Sequence, residues 1–143
     1  MSDTRPTEHA AADGTPAHPF TATGLAAALT VADLAASVAW YRDVLGFAVE
    51  REFERGGVAF AARMTAGPVA LLLTQDTGAK GTDRVKGEGF SLQLTTSQDI
   101  DELATRVKAH GVALDLEPTD AWGARVFRLR DPDGFRFAIS SGR

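Results

Sequence analysis

The sequence predicts an α+β fold: two tandem βαβββ modules whose strands form a curved, mostly antiparallel sheet assembly. Three observations predict it. Hydrophobic periodicity runs strand, helix, three strands, and the same order returns after a polar stretch. The helix boundaries match, because Asp33-Leu34 to Gly46-Phe47 and Asp99-Ile100 to Gly111-Val112 have spacings that differ by one residue. Asp131-Pro132-Asp133-Gly134 reads as a tight turn, with Pro where φ near −65° is wanted and Gly where the backbone needs relief. The strand behind that turn alternates, with Phe135, Phe137 and Ile139 on one face and Arg136, Ala138 and Ser140 on the other.

Each element follows from its local pattern. Residues 1–22 carry Pro, Gly, Ala, Thr and scattered charge without periodicity, and are expected to form a disordered leader. A single domain over 23–143 follows, divided into module one (23–76), a linker (77–88) and module two (89–143). Residues 25–31 are strand-like and end in β-branched residues. Asp33 caps a helix whose stripe is Leu34, Val38, Tyr41 and Leu45, and Gly46 stops it. Strands are expected at 47–54, 58–64 and 69–75, separated by Gly56-Gly57 and Ala66-Gly67-Pro68. Module two repeats this with a strand at 90–96, a helix from Asp99 carrying Ile100, Leu103 and Val107, a stop at Gly111, and strands at 112–117, 124–130 and 135–140. The helices cover one face of each sheet; the other faces must curve towards each other or towards a second chain.

Composition narrows the function. The 143 residues contain no Cys, which excludes disulfides, thiolate nucleophiles and Cys-ligated zinc. Net charge is −4 with no long basic block, so nucleic acid is a poor partner. No stretch is long and apolar enough for a membrane span or a secretory signal, and a cytoplasmic location is expected. A Gly-x-Ser-x-Gly elbow, a phosphate-binding Gly-rich loop and a Cys–His pair are all missing.

"LTVADLAASVAWYRDVLGF", the second copy of that plan and "WGARVFRLRDPDGFRFAI" together resemble the vicinal oxygen chelate superfamily, over roughly residues 24–140. That superfamily includes glyoxalases, extradiol dioxygenases, fosfomycin-modifying transferases and bleomycin-binding resistance proteins. The resemblance implies a ligand cavity on the curved sheets. It also implies that enzymes of the family hold a divalent metal there through His, Glu or Gln. The matching positions here are Ala26, Ser91, Ala138 and, on the fourth strand, Ala70 or Leu72. These residues lack the donors a metal requires, so no metal, no cofactor and no catalytic residue is assigned. Trp122-Gly123, Phe127, Leu129 to Pro132 and Gly134 are similar to the antibiotic-binding resistance group. That likeness implies a homodimer that sequesters a bulky small molecule, such as an antibiotic, in clefts between chains.

The expected ligand-binding residues are Trp122, Arg128, Arg136, Phe60, Ala26, Leu72, Ser91 and Ala138. Trp122, ahead of the strand at 124–130, either stacks on a planar ligand or anchors its loop. Arg128 and Arg136 share the face of Ala138 and either meet an acidic ligand or pair with Glu50, Glu52 or Asp115. Phe60 faces either way. Ala26, Ala28 and Thr30, with Ser91, Gln93 and Thr95, make a small, mildly polar floor. Trp40 is read as core packing and His110 as a surface residue at a helix end. An alternative is a lyase, isomerase or other enzyme of the same superfamily, with Glu50, Glu52, Glu54 or Asp115 as acid–base groups. A regulatory ligand sensor is a third class, without a supporting motif.

Overall fold

In a computed structural model, which describes residues 13–81 and 83–142, the elements follow the order β1 (Ala26–Val31), α1 (Leu34–Asp43), β2 (Ala48–Arg55), β3 (Val58–Ala66), β4 (Val69–Gln75), β5 (Leu92–Thr96), α2 (Ile100–Ala109), β6 (Leu114–Ala121), β7 (Ala124–Arg130) and β8 (Arg136–Ser141). The two modules form two four-stranded sheets, ordered β1-β4-β3-β2 and β5-β8-β7-β6. In each, the first strand runs parallel to the last and the other pairs are antiparallel. Part of the expected leader, residues 1–12, lies outside the described residues; 13–22 are exposed and carry no helix. Among the described residues no helix is long and apolar enough to cross a membrane.

Both helices are capped as their sequences require. Asp33 accepts from the Ala36 N–H at 3.1 Å and Asp99 from the Glu102 N–H at 2.9 Å, each satisfying one orphan donor of a first turn. Leu34, Val38 and Tyr41 bury the inner face of α1, and Ile100, Ala104 and Val107 that of α2. Leu45, read as the end of the α1 stripe, lies past the helix, which closes at Val44. Strand β6 runs on through Pro118 to Ala121 rather than stopping at 117. It is an edge strand, so the missing proline N–H costs no ladder bond.

One apolar core serves both modules, with Leu29, Leu71 and Leu73 meeting Phe127, Leu129 and Phe137 behind the helices. Tyr41 and Asp131 join the halves. Tyr41 is 0% exposed, edge-on to Phe47 and Phe137 with centroids at 5.9 Å. Its hydroxyl donates to Asp131 Oδ2 at 2.6 Å, while Asp131 Oδ1 accepts the N–H groups of Asp133 and Phe135. Burial pushes the Asp131 carboxyl above the usual carboxylate range, against those three hydrogen bonds. The turn is fastened further by Asp133, which accepts from the Ala32 N–H at 2.9 Å, and by Lys86 of the linker, which bonds Asp76 and the Thr30 carbonyl, both at 2.9 Å.

Candidate functional site

Each sheet has one face under its helix and one open face, and the register decides which side chains share the open one. Directly opposed residues point the same way. On the first sheet the central row is Ala28, Leu72, Arg63 and Arg51. On the second it is Gln93, Ala138, Arg128 and Leu116. The two rows occupy corresponding places in the two modules. Both begin on small or mildly polar residues and reach an arginine on the third strand.

Of the expected site residues, Ala26, Leu72, Ala138, Arg128 and Arg136 stand in the paired register of these faces. Ala26 opposes Ala70, one step along β1 from the Ala28–Leu72 pair. Ser91 precedes β5 and accepts from Gln93 Nε2 at 2.9 Å. Ala138 lies between Gln93 and Arg128, 2% exposed beneath their longer side chains. Arg136 opposes Arg130 on the same face. Phe60 stands at a β-bulge, where the register between β2 and β3 shifts between Phe53 and Glu54. Its ring lies 6.4 Å from that of Phe53. Trp40, read as core packing, is half-buried against the core, edge-on to Tyr41.

Two arginines at matching positions differ in their partners. Arg63 is neutralised by Glu50 at 2.6 Å. Arg128 and Arg136 are exposed and have no ion pair among the described residues. The pairing expected between them and Glu50, Glu52 or Asp115 is therefore not made. Asp115 accepts from Arg130 at 2.9 Å instead. The cause is a bulge between Leu114 and Leu116, which sets Leu116 rather than Asp115 opposite Arg128.

Trp122 sits at the tip of the β6–β7 hairpin and is 86% exposed, so little of its ring is packed among the described residues. Its φ is +55° and that of Gly123 +78°, the two left-handed residues of a type I′ turn. In the matching β2–β3 hairpin both places are glycine, Gly56 and Gly57. Trp122 thus holds a conformation that costs a side-chain-bearing residue about 1–2 kcal/mol.

The residues at the family's metal positions do not fit a metal. Ala26, Ala70 and Leu72 on one face and Ser91 and Ala138 on the other offer a single hydroxyl, where a divalent ion takes about three protein donors. Among the described residues, no three His, Asp or Glu side chains converge. The carboxylates considered for acid–base work are partly engaged, Glu50 by Arg63 and Asp115 by Arg130.

Sequence reasoning passed over one cluster on the first sheet. Arg51 lies over the Phe53 ring at 4.7 Å and Arg55 over Phe60 at 4.6 Å. The alternation Arg51, Phe53, Arg55 carried the signal, but the bulge that brings Phe60 beside Phe53 is not visible in it. A cleft of about 790 Å³ lies elsewhere, between α2 and the β3–β4 turn on the helix-covered side, and none of the expected ligand residues lines it.

The comparisons agree on the fold. Solved structures that share it include TioX from Micromonospora sp. ML1, 24% identical, covering 84% of this chain and 98% of that one at a TM-score of 0.66. TnmS3, an antibiotic binding protein from Streptomyces sp. CB03234, is 19% identical and covers 88% and 100% at 0.70. Lactoylglutathione lyase from Agrobacterium tumefaciens is 24% identical and covers 87% and 96% at 0.63. No curated protein matches the chain. The family model of the glyoxalase/bleomycin resistance protein/dioxygenase superfamily matches residues 23–139, and the chain belongs to that superfamily.

Proposed function

We propose that the chain binds a bulky, planar small molecule bearing an acidic group on its open sheet faces, without metal and without breaking a bond. The ligand class is that of an antibiotic or similar natural product, and the biological outcome is sequestration. The observation that carries this reading is Trp122, an exposed aromatic in a strained turn at the edge of a face that holds two arginines without an ion pair among the described residues. Strain of that kind persists where it serves a contact made with a partner. The indole supplies a stacking surface, Arg128 and Arg136 supply bidentate donors for a carboxylate or sulfate, and Ala138 leaves room between them. The antibiotic-binding neighbour TnmS3 supports the ligand class by fold. An enzymatic reading, as lyase or isomerase, has fold-level support of the same kind from the lactoylglutathione lyase neighbour, but the carboxylates it would use are partly held in ion pairs.

The test is a tryptophan-fluorescence titration against planar, polycyclic and glycopeptide antibiotics. A binder is expected to quench or shift the indole emission. Its affinity should be the same after chelator treatment and after adding Zn²⁺ or Mn²⁺. Affinity that disappears with chelator and returns with one ion per chain overturns the metal-free reading.

The open faces also bear on assembly. Leu72 is half-buried, and Phe53 and Phe60 stand on a face that no helix covers among the described residues. We infer that the first sheet of one chain faces the second sheet of its partner, which brings the Arg51–Phe53 cluster towards Trp122. Sedimentation at micromolar concentration should give a dimer. A monomer that retains full ligand affinity would place the site within one chain.

A further inference from the structure

The two modules repeat each other, and the places where they touch should therefore come in pairs. One such junction joins α1 to the β7–β8 turn, where Tyr41 reaches Asp131. Its counterpart joins α2 to the β3–β4 turn. Counting from the capping aspartates, Tyr41 of α1 corresponds to Val107 of α2, eight residues after Asp33 and Asp99 respectively. The register gives the other partner. Met64 opposes Leu71 as Leu129 opposes Phe137, so Ala66 stands where Asp131 stands. Valine and alanine are too short to bridge the distance that tyrosine and aspartate span. The cleft of about 790 Å³ opens at this place, lined by Ala66 to Val69, Val107 and the neighbouring face of α2.

The cleft has the character of a binding site. Its volume lies within the roughly 300–1,000 Å³ of small-molecule pockets. Its floor is apolar, with Phe47, Leu94, Leu103, Phe127 and Ile139 among the lining residues. Its mouth carries one cationic donor, Arg106, and the imidazole of His110. The Arg106 side chain is exposed and has no ion pair among the described residues. His110 Nδ1 donates to the Arg106 carbonyl at 2.9 Å, because a carbonyl can only accept, and Nε2 remains for a partner. The acidic residue there, Asp43, is already paired with Arg42 at 2.9 Å. The rim therefore has a guanidinium without an ion pair among the described residues, above an apolar floor.

We propose that this cleft is a second small-molecule site, separate from the open sheet faces, and that it takes an elongated apolar molecule ending in one carboxylate. The apolar body replaces the missing Tyr–Asp bridge between the modules, and the carboxylate pairs with Arg106. None of the residues that form the cleft belongs to the sheet-face site.

Isothermal titration with decanoate, below its micellar concentration, tests the site on the full-length chain. The expected result is saturable binding, one per chain. Ala66→Phe, which fills the cleft from the turn, should weaken binding at least tenfold. Leu103→Trp fills it from the helix and serves the same purpose if the first variant does not fold. Arg106→Ala should weaken decanoate about fivefold to tenfold and leave 1-decanol unchanged. Trp122→Ala should leave decanoate affinity as it is. No saturable binding, or binding indifferent to both the filling variant and Arg106→Ala, overturns the proposal. So does loss of binding in Trp122→Ala, which would put decanoate on the sheet face, and so does dissociation of a dimer by decanoate, which would make the cleft an interface between copies.

Discussion

Tyr41→Ala is expected to cost about 4–5 kcal/mol, the largest single loss in the molecule, read as a fall in denaturant midpoint. Two terms add. The ring is fully buried between Phe47 and Phe137, so truncation leaves a cavity at the meeting point of both modules. It also strands Asp131, 5% exposed, without the hydroxyl that serves its Oδ2. Tyr41→Phe isolates the second term and should cost about 1–3 kcal/mol. The pH dependence identifies the cause. Burial holds the Asp131 carboxyl above its unfolded value, so its contribution is fully present below the unfolded pKa and is lost as pH rises through the folded one. The Tyr41 hydrogen bond opposes that shift by favouring the ionised form. Removing it raises the folded pKa further, so the penalty of Tyr41→Phe should be larger at pH 7 than at pH 4. Equal penalties at both values would mean that Asp131 does not feel the hydroxyl.

Trp122→Gly should move stability and affinity in opposite directions. Trp122→Ala keeps a side chain in the left-handed conformation and is expected to change stability by less than about 0.5 kcal/mol. Trp122→Gly relieves the strain and should raise stability by about 0.5–1 kcal/mol, the gain being trimmed by the freer unfolded chain. Both should weaken binding of a planar ligand by about 1–3 kcal/mol. A protein that becomes more stable as it loses its ligand carries the signature of a residue kept for contact. Trp122→Gly with ligand affinity unchanged would sink the stacking role, and a Trp122→Ala that melts the fold would show an anchor. Arg128→Ala should then weaken acidic ligands more than neutral ones.

The order of elements was legible because capping aspartates, stop glycines and period-two strands each have a local cause. What lay beyond the sequence was non-local. The strand expected to end at 117 runs on through Pro118, which a sheet edge tolerates. Asp115 is one of three carboxylates the sequence offers Arg128 and Arg136, as the alternative to an acidic ligand, and a bulge of one residue gives it to Arg130. The shared face of Ala138, Arg128 and Arg136 followed from alternation alone. That these arginines lack partners depended on which neighbouring carboxylates were already taken. Ala66 and Val107 are unremarkable in the sequence, and acquire meaning when set beside Asp131 and Tyr41.

The parallel pairing of first and last strands also governs how the chain finds this structure. Hairpins β2–β3–β4 and β6–β7–β8 close through short turns, but Thr30 lies beside Thr74, 44 residues away. Each helix packs on the three hairpin strands of its module, and β1 and β5 join each sheet only by pairing with its last strand. The loop-closure entropy of those two long-range docking events, which grows with the logarithm of the intervening length, weighs on the folding barrier more than any hairpin does. The burial that accompanies the docking of β1 comes from Leu29 and Val31, while Ala26 and Ala28 of the same strand stay exposed.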